Sequence, residues 1–482
     1  MGRGWPGLRA RAKRSTRRRE RHDKAARRRT HWSLGLCLGA LTVPAFALAE
    51  HHHSHAAHIA QAIDSIDGDG ADGAQPLRRV NNWQEARALL RKHHPQLEQA
   101  KAQLLSAQAE TDRALATLLP QIGVSGGASY VPIRADVIGE NNRNWLLDGN
   151  AFIRENLSLA DAQRYGSSRT ARDAEALRLA ATRHDLVEGL GVALLQALAG
   201  ERVTKQYQAG LDAAQTRFDV SQRLLELGRA TPLDTIRFEQ DLFEAQRALV
   251  NAQESRRQAR EGLGLALGLP TATQVPEDFE LNALLTTAPD SGCRALSAPQ
   301  ERADARAAAT AVESAEEAAT ASRLAYLPEL LLSVNYDHRV DTGLSGPAER
   351  LRLSNLIVGA TLSWTIWDGG IRGAAMDAAD AEVRRAQGAE RAVRNNLAIL
   401  GRRSARAVTV AQQNLDIATQ ALRSAHKADD LSRRAFELGK ATALEGVDAA
   451  RNLRSAQINA TLRETDLLIA LLRARLFHSQ CR

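Results

Sequence analysis

The sequence predicts a mainly α-helical chain with a membrane β-barrel portion, built from a duplicated helix–strand–strand–helix–helix unit. Three observations carry this. Aromatic residues are only 4% of the 482, and Ala, Leu, Arg, Glu and Gln dominate, which favours long helices of small side chains over a bulky globular core. A set of markers recurs in the same order in both halves of the chain. Two-residue alternation is confined to short stretches near prolines.

The duplication is legible in three places. Leu119-Pro120 recurs 208 residues later as Leu327-Pro328. Glu226-Leu227-Gly228-Arg229-Ala230-Thr231 recurs 211 residues later as Glu437-Leu438-Gly439-Lys440-Ala441-Thr442. Between them, Leu157-Ser158-Leu159-Ala160-Asp161 aligns with Trp364-Thr365-Ile366-Trp367-Asp368. The expected organisation is a leader over 1–49, a flexible His/Asp/Gly-rich segment over 50–81, repeats over 82–268 and 300–478, a linker over 269–299 and a tail over 479–482.

The leader reads as a secretory signal. An Arg-rich stretch to Arg29 precedes an apolar run from Leu34 to Ala49 that ends in Ala47-Leu48-Ala49, an A-x-A cleavage site. Sixteen residues is short for a spanning helix. Residues 1–49 carry 13 Lys+Arg and 2 Asp+Glu, a net of +11, so the total of +8 leaves −3 for the remainder. The basic balance belongs to the leader, which removes the electrostatic case for nucleic-acid binding.

Within each repeat the period changes twice. Trp83 to Leu118 is helical, interrupted only by His94-Pro95. Past Pro120, Ile122, Val124, Ala128 and Tyr130 alternate with Gln121, Gly123, Ser125, Gly127 and Ser129, a half-buried strand pattern. The second repeat alternates more strongly, with Leu330, Leu332, Val334 and Tyr336, then Leu356, Val358, Ala360, Leu362, Trp364 and Ile366. Strands are expected over about 120–131, 150–160, 328–338 and 355–367, the second weakened by Glu155 on its apolar face. Apolar on one side and small or polar on the other is how a membrane barrel strand reads; a half-buried soluble sheet shows the same alternation. Four strands cannot close a barrel and open edges are not tolerated in lipid, so a barrel requires several copies of the chain.

A very long helix follows each strand pair, over about 161–228 and 369–438. In the first, Leu186, Leu190, Ala193, Ala197, Gly200, Thr204, Tyr207, Leu211, Ala214 and Phe218 keep a seven-residue repeat with small seam residues. Gly228 and Gly439 are expected to cap these helices, and Thr231-Pro232 to start the next. Returning helices are expected over 233–267 and 443–478. Helices of about 36 and 35 residues match the 68 of the long one in the first repeat, and about 27 and 36 approach 70 in the second. Two short helices stacked end to end thus span one long run of about 100 Å at 1.5 Å per residue.

With these residues in place, the chain resembles the TolC-like outer-membrane factor family over nearly all of its mature length. The resemblance is carried by His94-Pro95-Gln96-Leu97, Leu119-Pro120, Tyr326-Leu327-Pro328-Glu329-Leu330, Val358-Gly359-Ala360-Thr361-Leu362-Ser363-Trp364 with Trp367-Asp368-Gly369-Gly370, and the Leu-Gly-x-Ala-Thr tips. It implies a homotrimer with a 12-stranded β-barrel continuous with a 12-helix periplasmic α-barrel, seated in the outer membrane lipid. It also implies docking with a periplasmic adaptor and an inner-membrane pump. The family closes its tunnel with acidic residues beyond the tip glycines, which implies gate roles here for Asp234, Glu445 and Asp448. The family's basic residue two positions past the second glycine is replaced by Ala441, with Lys440 one earlier. Acids at these positions also fit ordinary helix N-terminal charge.

After leader cleavage Cys293 and Cys481 remain. In the implied architecture both fall in one equatorial belt, where they either form a bridge, as expected of an exported protein, or stay as two thiols. His51, His52, His53, His55 and His58 form a cluster that either binds Zn, Cu or Ni or is a plain polar tail. No G-x-S-x-G, P-loop or zincin motif is present, and His338 beside Asp337 lies in an expected strand without a nucleophile partner. No enzyme activity and no cofactor are expected. The function implied is the outer-membrane duct of a tripartite efflux system. Alternatives are a type I protein-secretion duct and an exported periplasmic coiled-coil structural or adaptor protein.

Overall fold

The structure, a computed structural model, describes residues 77–131, 144–276, 279, 293–341 and 351–481. The expected leader and the cluster His51, His52, His53, His55 and His58 lie outside the described residues. In chain order the first half comprises β1 (Arg78–Arg79), α1 (Trp83–His93), α2 (Pro95–Ala116), β2 (Gln121–Val131), β3 (Asn144–Leu157), α3 (Leu159–Glu226), α4 (Pro232–Leu267) and β4 (Thr273–Gln274). The second comprises β5 (Cys293–Ala295), α5 (Ala303–Leu324), β6 (Glu329–Asp341), β7 (Leu351–Ser363), α6 (Ile371–Glu437), α7 (Ala443–Phe477) and β8 (Ser479–Cys481).

Four long strands make one antiparallel sheet in the order β2-β3-β6-β7, so the repeats join where β3 pairs β6. The register puts Ile122, Val124, Ile153, Val334 and Val358 on one face and Ser125, Asp148, Asn150, Asn335 and Asp337 on the other. Among the described residues no layer covers the apolar face: Ile122 and Val124 are 77% and 82% exposed. Strands β2 and β7 are the two edges of the sheet. Such a surface needs lipid on one side and more strands at both edges.

Two strands differ most from expectation. The strand expected over 150–160 runs Asn144–Leu157. It begins early because Trp145 stacks on Tyr130, ring centroids 5.3 Å apart, while Asp148 and Gly149 obscure the alternation between them. It ends early because the Ser158 hydroxyl accepts the Asp161 N–H at 3.3 Å and starts α3. The strand expected over 355–367 runs Leu351–Ser363. Trp364 Nε1 instead donates to Tyr326 O at 3.0 Å, and Arg372 claims Thr365 O at 2.5 Å. Asp368 then accepts the N–H groups of Gly370 and Arg372, each at 3.0 Å, turning the chain into α6. The Trp-Asp-Gly-Gly segment is therefore a strand-to-helix joint.

The helical stretch Trp83–Leu118 is two helices, α1 and α2, because Pro95 cannot donate back into the first. α2 lies along the strand-proximal half of α3, where Thr111 Oγ1 donates to Ser168 O at 3.1 Å. α4 lies along the distal half, where Thr204 Oγ1 donates to Ala252 O at 3.2 Å. End-to-end stacking against one long helix is thus observed. In the second repeat the match is looser, with 22 and 35 residues against 67, because β5 and a short 3-10 turn at Pro299–Glu301 occupy the difference.

Two short strand pairings revise the expected segment types. Arg78–Arg79, placed in the flexible segment, pair in parallel with Thr273–Gln274 of the linker. Ser479–Cys481, expected as a tail, pair antiparallel with Cys293–Ala295. Strands of two or three residues have no periodicity to read; only their partners define them. The main core lies around them, with Val80, Trp83, Leu97, Leu190, Leu194, Leu263, Leu267 and Leu476 nearly inaccessible. Away from this belt the helix seams are thin and mostly alanine. No described helix is long and apolar enough to cross a membrane.

Candidate functional site

The two helix tips share one construction. At each, a glycine in the left-handed region follows the helix, Gly228 at φ 69° and Gly439 at φ 72°, where a Cβ would be strained. Arg229 N donates to Leu224 O at 2.7 Å and Lys440 N to Ala435 O at 2.8 Å, closing matching C-terminal turns. A capping box starts each returning helix. Thr231 N donates to Asp234 Oδ2 at 3.1 Å and Asp234 N to Thr231 Oγ1 at 3.2 Å. Thr442 N donates to Glu445 Oε2 at 2.9 Å and Glu445 N to Thr442 Oγ1 at 3.3 Å.

Two of the three acids singled out in the sequence are therefore helix caps as well as tip charges. Partial burial opposes ionisation of Asp234, but the Thr231 hydrogen bonds, Arg237 and the Ala443 N–H outweigh it, so its pKa is lowered. The Ala443 contact ties the first tip to the second, as does Arg229 donating to Glu437 O at 3.4 Å. Phe238 meets Phe436 edge-on at 5.2 Å between the tips, over Ala443 and Val447. Glu445, Asp448 and Lys440 face solvent. No ion pair joins Lys440 to Asp234, Glu445 or Asp448 among the described residues.

Sequence reading missed a charge network just behind the tips. Asp241 is 1% exposed and accepts from Arg451 at 3.0 Å and from Arg454 at 2.5 and 3.2 Å. Arg217 donates to Asp429 at 2.9 Å, its pKa lowered by burial against the opposing pull of Asp429. Asp241 lies on α4 and its arginines on α7; Arg217 lies on α3 and Asp429 on α6. Both pairs thus bind the first repeat's hairpin to the second's. A signal was available: Asp241 interrupts the buried stripe Phe238, Leu242, Ala245, Leu249, where a charge must find a partner.

In the belt, Cys293 and Cys481 stand opposite each other in the β5–β8 register and are joined by a disulfide. Gln480 beside them accepts from Ala303 N at 3.0 Å and donates to Ala180 O at 3.0 Å, fastening β8 to α5 and α3. His184 of α3 is buried nearby, both ring nitrogens without a hydrogen-bond partner. Burial and then Arg302 lower its pKa to about 4, against a smaller opposite pull from Asp304. The folded state thus holds His184 neutral while an unfolded chain protonates it near its ordinary 6.5. Stability from this group is fully present above that value and is lost as pH falls toward 4. The loss is roughly 3 kcal/mol at 1.36 kcal/mol per pKa unit. Neighbouring Asp185 works oppositely, its pKa raised chiefly by burial. The thermal midpoint should therefore fall between pH 6.5 and pH 4, and His184→Gln should flatten that slope; an equal slope in both proteins would remove His184 as its source.

His338 Nδ1 lies 2.8 Å from Ser354 Oγ on the apolar face of the sheet. Asp337 is on the opposite face, accepting from Asn150 at 2.6 Å, so the three do not form a catalytic triad. Among the described residues no group of His, Cys, Asp and Glu is arranged to hold a metal ion.

Comparison with known proteins agrees with this geometry. The outer membrane efflux protein family model matches residues 87–269 and 296–476, one segment in each repeat. Pyoverdine export outer membrane protein OpmQ of Pseudomonas aeruginosa is 32% identical over 185 residues, which cover 36% of this chain and 36% of that relative. The match thus spans about a third of the curated relative's length. A membrane protein from P. aeruginosa superposes with a TM-score of 0.70 at 19% identity, over 81% of this chain and 91% of that one. The outer membrane protein VceC of Vibrio cholerae gives 0.68 at 14% identity, over 82% and 96%. With both repeats matched in order and the same fold recovered, the chain belongs to the outer membrane efflux protein family and is an outer-membrane protein.

Proposed function

We propose that three copies of this chain close their four-stranded sheets into one 12-stranded barrel, continued by a 12-helix periplasmic tube that serves as a passive exit duct. An inner-membrane pump supplies the energy through a periplasmic adaptor. The observation that carries this reading is the bare sheet: an uncovered apolar face, two open edges and a polar opposite face, continuous with helices of 68 and 67 residues. Lipid covers such a face, and neighbouring copies of the chain satisfy such edges. Similarity to a protein named for pyoverdine export favours small-molecule efflux over protein secretion.

The tips form the gate of this duct. Threefold symmetry turns Asp234, Glu445 and Asp448 into acidic rings beside Gly228 and Gly439, favouring cations at the closed end, with Lys440 as the adjacent base. Asp234 has a double duty, since its carboxylate also caps α4 and touches the second tip. The purified protein should run as a heat-labile trimer and conduct in planar bilayers. The double variant Glu445→Ala/Asp448→Ala should conduct several-fold more than the wild type. A soluble monomer without bilayer current would overturn the duct; a conducting trimer whose variant conductance is unchanged would overturn the gate alone.

A further inference from the structure

Of the two described arginines on the polar face of the sheet, Arg339 stands in register with Asp148, and Arg154 has no carboxylate beside it. Arg154 of β3 stands in register with Gln121 on one side and Ser333 on the other. Its Cζ lies 4.3 Å from the centre of the Phe152 ring, and a guanidinium nitrogen reaches Asn335 Oδ1 at 3.5 Å. The ring below it lies across β2 at Gly123, where any Cβ would run into the Phe152 side chain. The guanidinium is therefore braced from beneath by a cation–π contact and held laterally by a neutral amide. Arg154 is otherwise exposed to solvent.

No carboxylate pairs with it among the described residues. The acids described on this face are Asp148, six residues from Arg154 along β3, and Glu329 and Asp337 of β6, each four residues from Ser333 along the strand. At about 3.3 Å per residue they stand about 13 Å or more away along the sheet, beyond the ~8 Å screening length of physiological salt. Asp337 is moreover engaged by Asn150. Strand β2 has only Gln121, Gly123, Ser125, Gly127 and Ser129 on this face. The local potential near Arg154 is thus positive, at the end of the sheet where the strands enter the helices.

We propose that Arg154, braced by Phe152, forms with its symmetry copies a basic collar at the inner end of the barrel lumen that binds and passes oxyanionic solutes. The proposal rests on the duct reading and adds a preference that the acidic tips alone would not give. A planar fork of guanidinium donors matches carboxylate geometry, and three of them around one axis suit polycarboxylates. Chloride also crosses such a collar more readily than a neutral one.

The test uses the full-length trimer in planar bilayers under a KCl gradient, with citrate as the oxyanion probe. Wild-type current should be blocked by citrate. Arg154→Gln, which retains an amide able to reach Asn335, should raise the half-blocking concentration at least about tenfold, since the trimer loses this charge-assisted contact in all three copies. It should also move the reversal potential toward cation selectivity. Arg154→Lys, keeping the charge and losing the planar fork, should leave the reversal potential in place and weaken the citrate block. A conducting wild type that citrate does not block, or variants matching it in block and reversal potential, would overturn the collar and leave the duct standing. A wild type with no current at all would overturn the duct and the collar with it.

Discussion

Replacing both cysteines, as Cys293→Ser/Cys481→Ser, should lower the thermal midpoint by roughly 10 °C. The bridge closes a loop of 188 residues, and the chain-entropy model gives about 5 kcal/mol for a loop of that size. For a chain this large, 1 kcal/mol corresponds to roughly 2 °C. The size of the effect follows from what the bridge replaces. Strands β5 and β8 pair over three residues, too few to hold the chain end against the entropy of the whole second repeat. Without the bridge, the Gln480 contacts to α3 and α5 and the Leu296 N–H to His478 O bond would have to fasten the belt alone. Reduction of the wild type should reproduce the shift. A midpoint that moves by less than about 2 °C in both experiments would show that the belt is held by its packing around Leu472 and Leu476.

The second large effect is expected at Asp241. Asp241→Ala should cost about 3–5 kcal/mol, the range for removing one member of a buried ion pair. The carboxylate is 1% exposed and serves two arginines, of which Arg454 is itself largely buried at 15% side-chain exposure. Its removal leaves that guanidinium without its counter-charge between two hairpins, close to Arg217. Asp241→Asn should cost less, since the amide oxygen still accepts while the charge is gone. Combining Asp241→Leu with Arg454→Met should recover much of the loss, because an apolar pair of similar volume removes the desolvation cost on both sides. Thermal or denaturant unfolding of the four proteins separates these outcomes. Equal midpoints for wild type and Asp241→Ala would mean that the Phe238, Ala443 and Val447 packing and the Arg217–Asp429 pair suffice to hold the hairpins together.

Much of the fold was legible because helices and strands announce themselves by period. The long helices, the glycine turns and the first Thr-capped return depend on neighbours within a few residues, so Gly228, Gly439 and Thr231 identify them directly. Trp145 and Leu147 were missed because Asp148 and Gly149 break the alternation, while the ladder partners that complete it lie on β2 and β6. Asp368 was noted as part of a motif, yet its role in turning β7 into α6 depends on Arg372 reaching back to Thr365. The tip acids were visible as residues, but that Asp234 and Glu445 also cap helices emerged only with their hydrogen bonds.

The sequence by itself determined the duplicated unit, the helical lengths and the two-faced strands, since each is a local pattern repeated about once per half. Only the tertiary structure decided which residues meet across those halves: Cys293 with Cys481, Asp241 with Arg451 and Arg454, Arg217 with Asp429, and Arg154 with Phe152 and Asn335. Most of these contacts join residues nearly two hundred or more positions apart, and even Arg154 needs a neighbour from another repeat. Their energy comes from burial and charge complementarity in three dimensions, which no periodicity along one dimension encodes.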